Sequence, residues 1–257
     1  MSAKQKERSE IQNRQGTEPT SKALADSATP SSIQFYGGYQ VYSDSGIDLT
    51  LLRENLKRSI ERRWESNCRM LDLVIEVEKS RARSSPAAKN GGPSLLDMPG
   101  FLRLLNAGQV EFVVIGGLAM IAQGSAYITK DLDVCYARSD RNILALATCC
   151  ASIHPYLRGA PQGLPFKFDA ATIQAGLNFT LTTNLGDIDF LGEVSGIGIY
   201  EKVRAMSEEK EIYGLKVRVL SLEGLIASKK AAGRTKDKLH LLELEELKKM
   251  RDEGVGS

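Results

Sequence analysis

From Asp48 onward, apolar residues recur every three or four positions, at Leu49, Leu52, Leu56, Ile60, Trp64, Cys68, Leu71 and Ile75. That is the period of one helix face, and it predicts a single long amphipathic helix over 48–80 with Asp48 as its N-cap. The opposite face carries Arg53, Lys57, Arg58, Arg62, Arg63 and Arg69, with Glu54, Glu61 and Glu65 interleaved. The mixture suits a solvated helix packed on the core or on a second copy better than a basic stripe for RNA. Residues 1–47 are rich in Ser, Thr, Gln, Gly and Pro without period and read as a disordered tail. Residues 81–99 contain Ser-Ser-Pro and Asn-Gly-Gly-Pro and read as a linker.

From residue 100 to 257 the texture changes. Short apolar runs alternate with helical spacing: a helix about Phe101–Leu105 ended by Gly108, a strand within Val110–Ile115, a helix Leu118–Gln123, a strand Leu132–Tyr136, then a helix capped by Ser139 or Asp140. Asn178–Thr182 and Asp187–Leu191 form a strand pair, and Gly214 turns a hairpin between Glu211–Tyr213 and Lys216–Leu220. Ser221 caps a helix interrupted at Gly233, and a charged helix closes the chain. Strands interspersed with helices predict an α/β (α+β) domain with a mixed sheet flanked by helices.

Composition adds bounds. The chain has 257 residues, with 34 Lys plus Arg against 32 Asp plus Glu, so a broad electrostatic clamp on nucleic acid is excluded. Four cysteines and two histidines have no metal-ligand spacing, which argues against a zinc site or a disulfide scaffold. No apolar run reaches the roughly 18 residues of a membrane span, and the N-terminus has no apolar stretch behind its charges, so a cytoplasmic protein is expected. Cys149 and Cys150 read as core, Cys135 as pointing away from the face of Asp133, His154 as a loop residue and His240 as surface or packing.

The chemistry concentrates in Phe112-Val113-Val114-Ile115-Gly116-Gly117 and, thirteen residues beyond Gly117, Asp131-Leu132-Asp133-Val134. Residues two apart on a strand share a face about 6.6 Å apart, so Asp131 and Asp133 set two carboxylates side by side. A divalent cation, or a pair, would relieve their repulsion. The glycine pair stands where a strand turns into a helix, with N–H groups and a positive dipole end suited to phosphate. Asp187 and Asp189 repeat the paired pattern, which an edge strand with polar residues facing water would also carry.

This ordered set of strand, Gly-Gly, short helix, Asp-x-Asp strand and later acidic strand resembles the nucleotidyltransferase superfamily of the DNA polymerase beta type. Within it the chain is most similar to the minimal nucleotidyltransferases, including abortive-infection toxin relatives, over about residues 100–250. The resemblance implies a nucleotidyltransferase fold in which Gly116 and Gly117 hold the triphosphate. Asp131 and Asp133 would bind two Mg²⁺ ions, or Mn²⁺, and Asp189 rather than Asp187 would be the third acid, since Phe190-Leu191 follows it. Lys229, then Arg234 and Lys236, would approach the phosphates, with Lys230 on the same basic helix and Asp237 orienting a base. Relatives often carry Arg where Tyr127 stands, which bears on nucleotide affinity or choice.

The activity so implied is transfer of NMP from an NTP to a hydroxyl of RNA, tRNA above all, or of a protein, in a toxin-like role. Its partners would be the NTP, that acceptor, and an antitoxin or a second copy through the N-terminal helix, with no membrane. An alternative is a non-catalytic module of the same fold that senses NTP or binds RNA or a protein; an antibiotic nucleotidyltransferase ranks below both.

Overall fold

The structure, a computed structural model, describes residues 35–36, 39–83, 96–161 and 163–254. The tail expected over 1–47 lies outside the described residues up to 34 and at 37–38, and the expected linker lies outside them at 84–95. Residues up to Val41 form a unit of their own, in which strand β1 (Phe35–Tyr36) pairs antiparallel with β2 (Tyr39–Gln40).

The second unit, Tyr42–Ser257, begins with two helices where the spacing predicts one. Helix α1 (Leu49–Leu56) is capped by Asp48, whose carboxylate accepts from the N–H groups of Thr50 and Leu51. Helix α2 (Ile60–Arg83) starts afresh after Ser59. The break has a visible cause in Arg63, which turns inward from the supposedly solvated face. Its guanidinium donates to the carbonyls of Asn55 and Leu56 at the end of α1 and of Ile121 and Ala122 at the end of another helix. One cation thus satisfies two helix C-termini at the negative end of their dipoles. The apolar face itself packs on the core, with Leu49, Leu52 and Trp64 buried.

Helix α3 (Met98–Ala107) follows, capped by Asp97 and closed at Gly108. A seven-stranded mixed sheet then organises the chain: β3 (Phe112–Ile115), β4 (Asp131–Tyr136), β5 (Tyr156–Leu157), β6 (Asn178–Thr183), β7 (Gly186–Leu191), β10 (Ser207–Ile212) and β11 (Leu215–Leu220). Their order is β10-β11-β3-β4-β7-β6-β5. Strands β11 and β3, and β4 and β7, pair in parallel, and the other neighbours pair antiparallel. Between them lie helices α4 (Gly116–Gln123), α5 (Asp140–Cys150), α6 (Ala170–Ala175) and α7 (Tyr200–Ala205), and the short pair β8 (Glu193–Val194) and β9 (Gly198–Ile199). Helices α8 (Leu222–Ala232) and α9 (Thr235–Asp252) close the chain. The expected α/β class with a mixed sheet flanked by helices is what forms.

Alternation sorts the two faces. Leu132 and Val134 of β4, Ile188 and Phe190 of β7, and Phe179 and Leu181 of β6 are buried. Phe168 stacks on Phe190 at 5.4 Å and meets Phe179 edge-on at 5.3 Å, sealing that side with aromatic contact. The residues between them, Asp131 and Asp133, Asp187 and Asp189, Thr180 and Thr182, therefore share the opposite face. Cys135 shares it too, contrary to expectation, because it is two positions from Asp133; burial pushes its thiol up to about 12.

Candidate active site

Parallel pairing of β4 with β7 sets Asp131 beside Asp187 and Asp133 beside Asp189, so four carboxylates form two adjacent rungs of one sheet face. The edge of this group is tied by hydroxyls. Thr129 donates to Asp131 at 2.9 Å, and Thr182 donates to Asp187 at 2.8 Å. Among the described residues, none of opposite charge pairs with Asp133. Burial first, then the charges of Asp131 and Asp189, push its carboxyl up to about 7, against the N–H of Gly117 and the more distant charge of Lys229. Asp189 is also raised, chiefly by burial, with Arg158 opposing.

The glycine pair forms the first turn of α4 rather than a loop before it. Gly116 has φ of +59°, and a Cβ there would overlap the Asp133 carboxylate. A Cβ on Gly117 would come within 2.5 Å of Thr129. Both positions therefore exclude a side chain, and no side chain caps the helix start, which points its dipole at the acids.

The opposite wall comes from the junction of α8 and α9. Gly233 ends α8 with φ of +63° and lets the chain reverse. Asp237, on the first turn of α9, is completely buried and accepts from Lys229 at 3.2 Å and from Arg234 at 2.6 Å. These donors, outweighing its burial, bring its carboxyl down to about 2. Lys236 lines the same wall, whereas Lys230 turns away to Glu245 at 3.1 Å. His240 is buried in packing, edge-on to Tyr127 with ring centres 4.4 Å apart. Burial and the charges of Lys229, Lys236 and Arg234 push its imidazole down to about 4, with Asp237 opposing.

All eight residues singled out from the sequence, Gly116, Gly117, Asp131, Asp133, Asp189, Lys229, Arg234 and Lys236, line one cavity of about 670 Å³. Tyr127 and Leu71 line it too, and Asp187 does not. A second cavity, about 530 Å³, brings Glu111 and Glu201 together with Arg204 and Arg218 but no carboxylate pair on one strand.

Two contributors escape the sequence pattern. Asn67 on α2 grips Thr129 twice, accepting from its N–H at 2.8 Å and donating to its carbonyl at 2.9 Å. Arg158, just past β5, reaches Asp189 at 2.9 Å, Asp187 at 3.2 Å and Asp131 at 3.4 Å. Only the order β5-β6-β7 brings it there, since a lone arginine after a two-residue strand has no periodicity to betray it. Among the described residues, no three His, Cys, Asp or Glu side chains converge into a ready metal cage. The donor chemistry nevertheless fits a hard divalent cation: carboxylate oxygens crowded on one face, one of them driven toward its neutral form by burial and by its acidic neighbours.

The comparisons with known proteins each bear on part of the chain. Residues 177–255 match the model of a family described as nucleotidyl transferase of unknown function (DUF2204). That span runs from β6 to the end of α9 and includes Asp187, Asp189 and the basic junction; it supports an enzyme of the nucleotidyltransferase class. No curated protein matches. Among solved structures, the chain is similar to the lincosamide antibiotic adenylyltransferase LnuA with lincomycin bound, at 10% identity and TM-score 0.38, over 60% of this chain and 99% of that one. It is also similar to a Thermotoga maritima protein described as a nucleotidyltransferase (TM1012), at 16% identity and TM-score 0.32, over 62% and 94%.

Proposed function

We propose that the protein is a divalent-metal-dependent nucleotidyltransferase that moves a nucleoside monophosphate from an NTP to an acceptor hydroxyl and releases pyrophosphate. The supporting observation is that one cavity sets the acidic rungs of β4 and β7 against the basic α8–α9 junction, with the start of α4 between them. In this reading Gly116 and Gly117 let the triphosphate approach the N–H groups of α4 without steric conflict. Lys229 and Arg234, both tethered by Asp237, and Lys236 take up its negative charge.

Asp131, Asp133 and Asp189 would hold Mg²⁺, as two ions, or Mn²⁺. When bound, such ions lower the pKa of the attacking hydroxyl and neutralise the departing pyrophosphate. The chain itself aligns the two reactants and accepts the proton. The acceptor oxygen forms a bond to the α-phosphorus, the bond to the β-phosphate oxygen breaks, and the acceptor proton passes to Asp189. Asp187 is less suited to this role, because it lies off the cavity. We take the acceptor to be RNA, tRNA above all, or a protein, modified in a toxin-like role.

One observation favours a second reading, a non-catalytic module that binds NTP: Arg158 already supplies positive charge to three of the four acids. Incubation with α-labelled NTPs, Mg²⁺, total RNA and cellular protein separates the two. The transferase reading expects label in an acceptor and none with Asp133→Ala. Equal labelling by that variant refutes the assignment, and NTP binding without pyrophosphate release across the acceptors favours the module.

A further inference from the structure

Arg158 is the most informative side chain that the transferase reading leaves without a task. It faces three different carboxylates with three different nitrogens: Nη2 donates to Asp189 at 2.9 Å, Nη1 donates to Asp131 at 3.4 Å, and Nε lies 3.2 Å from Asp187. A guanidinium binds a carboxylate best as a fork, with two parallel N–H bonds to one partner. Here no partner is forked. The Nε atom, although buried, has no hydrogen-bond partner among the described residues, and Nη2 divides itself between Asp189 and the carbonyl of Leu181 at 3.2 Å. The cation is spread thinly over the group instead of being locked to one member.

Two of those three carboxylates are ones that the proposed function gives to the metal. A divalent ion on Asp131 and Asp189 would stand against a fixed positive charge a few ångströms away, and that repulsion is costly in a partly buried site. The guanidinium and the ion therefore compete for the same two carboxylates. Asp187 offers the arginine a place to retreat to, for it lies outside the cavity and on the same face. The side chain is about a quarter exposed, so it can shift without unfolding its surroundings.

Resting on the reading of Asp131 and Asp189 as ion ligands, we propose that Arg158 is the resident counter-cation of the acidic site. An entering divalent ion displaces it from both onto Asp187. Arg158 thereby offsets the mutual repulsion of the carboxylates in the metal-free protein and sets how tightly the site takes up its ion. It is a positioning residue, since it acts on the ligands and not on the reacting atoms.

The test is Mn²⁺ binding to the full chain without nucleotide, followed by the electron paramagnetic resonance signal of free Mn²⁺. Arg158→Gln should bind Mn²⁺ at least tenfold more tightly than the parent, and Arg158→Lys, which keeps the charge, should stay close to the parent. Equal or weaker binding by Arg158→Gln overturns the proposal, as does absence of binding in both. Should the glutamine variant fail to fold, the unaltered chain answers the question through nitrogen NMR. Titration with Mg²⁺ should move the Arg158 Nε–H resonance, and a resonance that stays put while Mg²⁺ binds overturns the proposal. Failure of the transferase reading looks different: Mn²⁺ binding would still respond to Arg158, but no pyrophosphate would be released.

Discussion

Asp133, which lines the cavity, and Asp237, buried behind its basic wall, are shifted in opposite directions. Asp133, on β4, is pushed up to about 7, whereas Asp237, on α9, is brought down to about 2. Burial raises both and is the largest influence on each, so it does not explain the difference. The neighbours do. Asp133 stands between Asp131 and Asp189, and Asp237 stands between Lys229 and Arg234. Asp237 has its charge met by the chain, and Asp133 stands where acids are in excess. An acid in excess on a cavity wall marks a place for a cation from solution, and a balanced one marks construction.

The contrast predicts opposite effects for the same substitution. Asp133→Asn should cut nucleotidyl transfer by about a thousandfold or more, equivalent to about 4 kcal/mol of lost metal-assisted stabilisation. It should leave the melting temperature unchanged or higher, because it removes a carboxylate that burial and like charge disfavour. Asp237→Asn should instead destabilise the fold by about 3 kcal/mol, since it leaves Lys229 partly buried without its partner. Pyrophosphate release and urea unfolding, measured on both variants, read the two effects separately. A destabilised Asp133→Asn with full activity would erase the distinction between the walls.

The sequence made the two walls visible to different degrees. Asp131, Asp133 and the glycine pair are local signals, because a strand's period of two and a strand-to-helix glycine turn are written within a few residues. So were most element positions, Ser139 and Ser221 as caps among them. Arg158 was hidden because Asp131 and Asp189 lie 27 and 31 residues from it in sequence, and only the sheet order brings them to it. The break between α1 and α2 was hidden for a related reason: the apolar period runs straight through it, and the residue that stabilises it, Arg63, finds half of its partners in α4. Lys230 shows the converse error. Its neighbour Lys229 faces the cavity, and one step along a helix is enough to turn a side chain toward Glu245 instead.

Histidine 240 tests the balanced wall from another side. Its imidazole is held down to about 4 in the folded protein, against about 6.5 when unfolded. The unfolded chain therefore binds the extra proton first. Stability from this residue is complete above about pH 6.5 and is lost as pH falls toward 4, amounting to about 2 kcal/mol between pH 7 and pH 5. Asp237 contributes nothing to that window, because its stabilisation fades only below its ordinary value of 3.8. Asp133, held up to about 7, takes up a proton in the folded protein over the same window and so offsets this loss in the parent; in Asp133→Asn, urea midpoints at pH 7 and pH 5 should differ, and they should converge when His240→Gln is added. An undiminished difference in the double variant would assign the acid sensitivity to other groups.

The smallest expected effect concerns what braces the acidic wall. Asn67 holds the backbone of Thr129 at both ends, and Thr129 in turn donates to Asp131. Asn67→Ala removes both bonds and leaves a buried N–H and carbonyl to find other partners, at a cost of about 1.5 kcal/mol. If α2 is only a cover for the core, that loss of stability is the whole consequence. If it fixes the orientation of Asp131, the variant also binds Mn²⁺ more weakly, by about threefold, an effect of under 1 kcal/mol. Measuring both quantities on one protein decides between these outcomes. A weaker metal site would tie the basic N-terminal helix to the carboxylates through a single asparagine, giving the acidic wall an anchor comparable to the one that Asp237 provides opposite.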